Sequence, residues 1–304
     1  MRKHAIVFPG QGSQRPGMLD ALPEHDDLGR LLDAAEALSG LELRRIAAEG
    51  TIEEINDTRA AQPLLYLSDW IWGSTLLDVG LDPAAVAGHS LGEYAALALA
   101  GVFSVEAGLE LVTERSQLMS ETALATPGSM AAVLGMDNAM VADLVGDISG
   151  VWLANDNAPG QIVLSGTHQG LVAATAALTA AGARRVVPLA VAGPFHSPLM
   201  EPAASPFSLV LEHALFLDAR IPIIQNAEPI AEQSATLIKE RLKRQITSPV
   251  RWTDTMGALR EAGVEVLVEA GPSSVLTGLA RRVDGLDAIA IDDGIEKVLE
   301  VLQG

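Results

Sequence analysis

Residues 84–101, AAVAGHSLGEYAALALAG, narrow the folds open to this chain more than any other stretch. An apolar run of strand length ends in Gly88-His89-Ser90-Leu91-Gly92, and a helix rich in Ala and Leu is predicted from about 91 to 100. Strands that alternate with helices build a parallel sheet covered on both faces. The five residues at the break have the G-x-S-x-G form of a nucleophile elbow, where a serine stands clear of the sheet on a strained turn. Flanking glycines let neighbouring backbone approach. The helix that follows offers N–H groups and a positive dipole end to a developing oxyanion. A glycine-rich turn with no chemistry could carry the same letters, but the strand before and the helix after favour the elbow.

The remaining segments extend the α/β pattern. Residues 5–8 read as a short buried strand that runs into PGQGSQRPG, and 62–79 as a helix with Pro63 in its first turn. A further helix is predicted over 105–123. Between 126 and 192 the order changes to strand MAAVLG, helix NAMVADLVGDI, strands VWLAN and QIVLSG around the turn DNAPG, helix GLVAATAALTAAG and strand RRVVPLAV. This β-α-β-β-α-β order is ferredoxin-like. It predicts a subdomain over 126–192, inserted into a catalytic domain made of 1–125 and 193–304. Alternating elements then resume, with IPIIQN and VEVLVEAG as strands and SATLIKERLKRQI, RWTDTMGALREAG and SSVLTGLARRV as helices.

Composition removes whole classes of function. A formal net charge of -19 argues against a general nucleic-acid or anionic-membrane role, since both need a basic face. With no cysteine there is neither a disulfide framework nor a thiolate metal site, and no metal is expected. The first apolar run ends at Pro9, too short for a signal segment, and no run reaches bilayer length. The expectation is a cytoplasmic protein.

A nucleophilic serine needs a base. The histidines are His4, His25, His89, His168, His196 and His213. His89 adjoins Ser90, but neighbours on a sharp turn point in different directions. His196, in VAGPFHSPLM, follows a strand, and strand ends are where open α/β sheets place their sites. It is the candidate base; the alternative is a loop histidine satisfied by its surroundings. No carboxylate is well placed as a third member, although Glu201 is near in sequence. Gln245 closes a helix in KRQITSPVRW, where carbonyls lack intrahelical partners, and could orient the ring instead.

Arg115 lies on the apolar side of its helix, with Gly108, Leu111, Val112, Leu118 and Met119, opposite Glu106, Glu110, Glu114, Gln117 and Glu121. A buried guanidinium calls for a carboxylate. That partner is either an Asp or Glu of this chain or the substrate, whose carboxylate a planar fork would grip at two points. The turn FPGQGSQ has no Gly-Lys-Ser/Thr, and Arg15 replaces the third glycine of a dinucleotide loop. A better reading gives the Gln11 N–H to an oxyanion, because such holes take a second donor from another strand end.

In order, FPGQGSQ, GHSLGEYAAL, TERSQLM, NAPGQIVLSG, GPFHSPLM, QITSPVRW and EAGPSSVLTGL resemble the malonyl-CoA:acyl carrier protein transacylases of bacterial fatty acid synthesis, across essentially the whole chain. The resemblance implies an α/β-hydrolase-like core with the ferredoxin-like insertion. It implies that Ser90 takes a malonyl group from malonyl-CoA, with His196 as base and the Gln245 carbonyl orienting it. The Gln11 and Leu91 N–H groups would form the oxyanion hole, and Arg115 would hold the malonyl carboxylate. The acceptor would be the phosphopantetheine thiol of acyl carrier protein, a transient partner of a monomeric enzyme that keeps no cofactor of its own. Phe195 and His89 are expected in the acyl pocket, where Phe195 and Leu91 crowd the α-carbon and favour malonyl over methylmalonyl. The carrier is acidic in this family, so a local basic face is expected. The densest is LIKERLKRQI, with Lys239, Arg241, Lys243 and Arg244; Arg281 with Arg282 and Arg184 with Arg185 are smaller doublets. Alternatives are an acyltransferase of a polyketide pathway or a malonate decarboxylase, a serine thioesterase, and a non-catalytic carrier-binding module.

Overall fold

Two five-stranded sheets organise the computed structural model, which describes residues 1–304. The strands are β1 His4–Phe8, β2 Ala85–Gly88, β3 Ser129–Leu134, β4 Val151–Ala158, β5 Gln161–Gly166, β6 Arg185–Pro188, β7 Ile223–Ile224, β8 Val250–Arg251, β9 Val266–Glu269 and β10 Asp287–Ala290. The first sheet runs β10-β9-β1-β2-β7, parallel throughout. Every residue of β1, β2 and β9 is buried, as expected of parallel strands covered on both faces. Side chains alternate between two cores. Ile6, Phe8, Val86 and Val268 pack with the helices Thr58–Asp78, Gly92–Leu99 and Val105–Ala125. Ala5, Val7, Ala87 and Leu267 face Trp252, Met256, Leu276 and Leu279 on the other side.

The second sheet runs β6-β3-β5-β4-β8. Its first four strands are antiparallel and have the spatial order of a ferredoxin-like unit. The helices Asn138–Gly146 and His168–Ala180 cover one face through Val141, Val145, Leu171 and Leu178. The fifth strand, β8, comes from outside 126–192 and pairs parallel with β4, Asn155 opposite Val250 and Asp156 opposite Arg251.

Several boundaries differ from the sequence reading, each for a local reason. The helix expected from 62 begins at Thr58, where the Asp57 side chain accepts the Arg59 N–H. Pro63 therefore lies in the second turn, and its missing N–H removes one helical bond. Strand β4 continues through Asp156 and Asn157, expected as turn residues, so the turn shrinks to Pro159 and Gly160. Two register shifts absorb the extra residues and re-aim Asn155 and Asn157. Strand β6 ends at Pro188, and Leu189, Ala190 and Val191 leave the sheet to line a cavity. No helix is long and apolar enough to cross a membrane.

Candidate active site

Strand β2 delivers Ser90 in a left-handed conformation, with φ 52°. The flanking glycines are there because backbone meets backbone. A Cβ on Gly88 would collide with the Gly92 carbonyl, and one on Gly92 with the carbonyls of Phe8 and Pro9. His196, the other non-glycine residue in this region, has φ 55°. Its Nε2 lies 2.7 Å from Ser90 Oγ. Its Nδ1 lies 3.1 Å from each of the Gln245 and Ser248 carbonyl oxygens. Carbonyls only accept, so Nδ1 carries the hydrogen and Nε2 is free to take a proton. Burial, then the charge of Arg115, lowers the His196 pKa to about 3. Glu201 is exposed and accepts from Ser205, away from the imidazole.

Arg115 is 1% exposed and has no carboxylate partner. Its Nη1 donates to Gln62 Oε1 at 2.7 Å, and its Nη2 to Ser90 Oγ at 3.2 Å and Gln245 Oε1 at 3.1 Å. The guanidinium also sits 5.4 Å from the Tyr94 ring centroid. The structural ion pair considered from sequence is therefore absent, and the cation faces a cavity of about 280 Å³ beside the serine. Gln11, Leu91, Phe195 and His196 line the same cavity, with Met119, Met130 and Val163 as apolar walls. The N–H groups of Gln11 and Leu91 have no acceptor within the protein, which leaves both available to an oxyanion. His89 also lines the cavity, but its Nε2 turns to Asn157 Oδ1 at 2.8 Å, and burial lowers its pKa. No cluster of acidic and imidazole side chains is placed to hold a metal ion.

Five contributors escaped the sequence reading, the first being the Ser248 carbonyl on the imidazole. Asn226 Oδ1 accepts the Ser90 N–H and Nδ2 donates to the Gly88 carbonyl, both at 2.6 Å. Glu93, buried, accepts from the Asn226 N–H and from Gln225. Gln62 holds Arg115. The Gln245 side chain, besides its carbonyl, donates to the Ser90 carbonyl at 3.0 Å. The one available signal was an amide placed inside an apolar run, as in AAQPLL and PIIQN.

The basic helix Ala235–Arg244 is not the field of free cations expected. Lys239 binds the carbonyls of Glu212 and Ala214, Arg241 and Arg244 both pair with Glu228, and Lys243 pairs with Glu212 and Glu240. Arg184, Arg185, Arg281 and Arg282 are exposed.

Residues 5–290 match the acyl transferase domain family. The malonyl CoA-acyl carrier protein transacylase of Bacillus subtilis strain 168 is 39% identical over 311 residues, covering 100% of this chain and 98% of that one. The chain belongs to the malonyl-CoA:acyl carrier protein transacylase family. The Synechocystis transacylase is 41% identical, over 92% of this chain and 93% of its own. Among solved transacylase structures, the acyl carrier protein S-malonyltransferase of Vibrio cholerae superposes with a TM-score of 0.89 at 38% identity, over 95% and 96% of the two chains. A malonyl-transacylase solved with its type II polyketide acyl carrier protein superposes at 0.91 and 37%, over 99% of each.

Proposed function

We propose that this chain moves a malonyl group from malonyl-CoA to the phosphopantetheine thiol of an acyl carrier protein through an ester on Ser90, supplying fatty acid synthesis. The observation that carries the choice of acyl group is the unpaired Arg115 guanidinium beside the serine hydroxyl. A neutral ester needs no cation, whereas a malonyl carboxylate can take two parallel N–H donors from one.

His196 Nε2 takes the Ser90 Oγ proton as Oγ bonds to the thioester carbon, and the carbonyl electron pair becomes an oxyanion held by the Gln11 and Leu91 N–H groups. Collapse breaks the carbon–sulfur bond, and the coenzyme A thiolate leaves with the proton from His196. The carrier thiol then gives its proton to His196, attacks the ester and restores Ser90. The Gln245 and Ser248 carbonyls hold the imidazole in the accepting tautomer, the task a carboxylate performs in a Ser-His-Asp triad. Phe195 and Leu91 narrow the pocket around the acyl α-carbon and disfavour methylmalonyl, by roughly 1–3 kcal/mol for one methyl. In this reading the protein works as a cytoplasmic monomer without a resident cofactor. The relative solved with a polyketide carrier favours a second reading, loading of a polyketide carrier, which differs in the carrier and not in the site.

Intact-mass analysis after malonyl-CoA, and again after carrier protein, tests the proposal. Ser90 should gain a malonyl adduct and lose it to the carrier. Ser90→Ala should form no adduct, and His196→Ala should slow acylation by about 10² to 10⁴. A Ser90→Ala protein that loads carrier at the normal rate overturns the assignment. Release of malonate to water as fast as transfer would make the protein a thioesterase.

A further inference from the structure

We infer that the substrate's own carboxylate strengthens the catalytic base: by occupying Arg115 it cancels the one formal charge facing His196, so the dicarboxylic acyl group is selected in the acylation step as well as in binding. This rests on Ser90 as nucleophile and Arg115 as carboxylate site.

Cation, hydroxyl and base are joined through successive short contacts. Arg115 Nη2 is 3.2 Å from Ser90 Oγ, which is 2.7 Å from His196 Nε2. Each element packed on the imidazole contributes a known group. The turn Gln245–Thr247 and the residue after it present two neutral carbonyls. The elbow presents Ser90 and His89, and burial keeps His89 toward its neutral form. The helix Val105–Ala125 presents Arg115. The buried Glu93 carboxylate is bound by Gln225 and Asn226. Without substrate, then, an imidazolium at His196 would form close to the Arg115 cation, with both side chains buried.

Burial and Arg115 together depress His196 to about 3, well below the strength of a good base near neutral pH. A charge within about 4–6 Å shifts a pKa by roughly 1–3 units, and cancelling it returns a similar amount. A malonyl carboxylate paired with Arg115 supplies that cancellation; an acetyl group does not. Acetyl-CoA would thus meet a weaker base even where it binds.

The test is the single-turnover acylation rate at saturating malonyl-CoA and at saturating acetyl-CoA, each reached by a brief pH jump to between about pH 3 and 8, with the Ser90 adduct read by mass. The acid limb for malonyl should lie at least about one pH unit above the limb for acetyl. In Arg115→Gln, which removes the cation, the acetyl limb should rise to about the wild-type malonyl position, and in Arg115→Lys, which keeps the charge, it should stay low. Coincident limbs in the wild-type protein, with malonyl still preferred, overturn the inference and leave the proposed function intact. An acetyl limb that does not move in Arg115→Gln also overturns it. Absence of any Ser90 adduct overturns the proposed function itself, and the inference with it.

Discussion

At the scale of single residues, Asn226 shows how the nucleophile is held. A non-glycine residue in the left-handed region costs about 1–3 kcal/mol, and it persists only where its surroundings over-determine it. Asn226 grips the turn on both sides, at the Ser90 N–H and the Gly88 carbonyl, while Glu93 fixes its own N–H. Asn226→Asp keeps an acceptor for the Ser90 N–H but turns a second oxygen toward the Gly88 carbonyl, close to Glu93. Acylation should slow by about 10- to 100-fold, the scale of a small misplacement of reacting atoms. KM for malonyl-CoA should change little, because Asn226 does not line the cavity. Stopped-flow or quench measurements of the acyl-enzyme would decide; an unchanged rate would make the clamp dispensable. Ser90, His196 and Arg115 were legible because each breaks its local pattern: a serine between glycines, a histidine in a Gly-Pro loop, a charge on an apolar stripe. Asn226 was not, because it meets Ser90 across 136 positions of chain and an amide in an apolar run carries no mark of its partner.

At the scale of elements, long apolar runs announced the strands β1, β2 and β9, and the β-α-β-β-α-β order announced the second sheet. The two-residue strands β7 and β8 are too short to have a period, and only their partners define them. In the basic helix Ala235–Arg244 the charges were readable, but the Glu212 and Glu228 that pair with them lie on other segments. Reversing Lys243 and Arg244 to Glu should therefore cost stability and leave the carrier KM nearly unchanged. Arg184 and Arg185 are exposed at the start of β6, about a strand length from residues 189–191, which line the cavity. Arg281 and Arg282 follow a helix whose N-terminal N–H groups bind Glu269, so they stand about a helix length from the strand ends. Arg184→Glu with Arg185→Glu should raise the carrier KM several-fold at low salt and leave self-acylation by malonyl-CoA unchanged. A larger effect from the same reversal at Arg281 and Arg282 would move the docking face there.

At the scale of the whole molecule, pH acts through groups deep in the fold. Burial, with Glu269 nearby, pushes Asp69 well above the ordinary carboxylate range, and burial also raises Glu93 and Glu269. The folded chain keeps protons here that the unfolded chain releases above about pH 4 to 4.5, so this stabilisation is lost as pH climbs through the raised values. His196 and His89 act in the opposite sense. The unfolded chain binds protons below about pH 6.5 that the folded chain refuses, so stability falls as pH drops from there. The net charge of -19 adds self-repulsion on the alkaline side. Calorimetry should give a higher Tm near about pH 6.5 than near 8.5, with a second decline below about 5.5; a Tm that keeps rising to the alkaline end would contradict this balance. Strand β8 has a consequence of another kind. It follows directly on Gln245 and Ser248, which hold His196, and it ladders onto β4, which carries Asn157 to His89. A breeder of hybrid enzymes who exchanges 126–192 between relatives as a cassette would keep one side of that ladder and discard the other, unsettling both histidines at once. The natural crossover unit is discontinuous, and 245–251 has to travel with the insert.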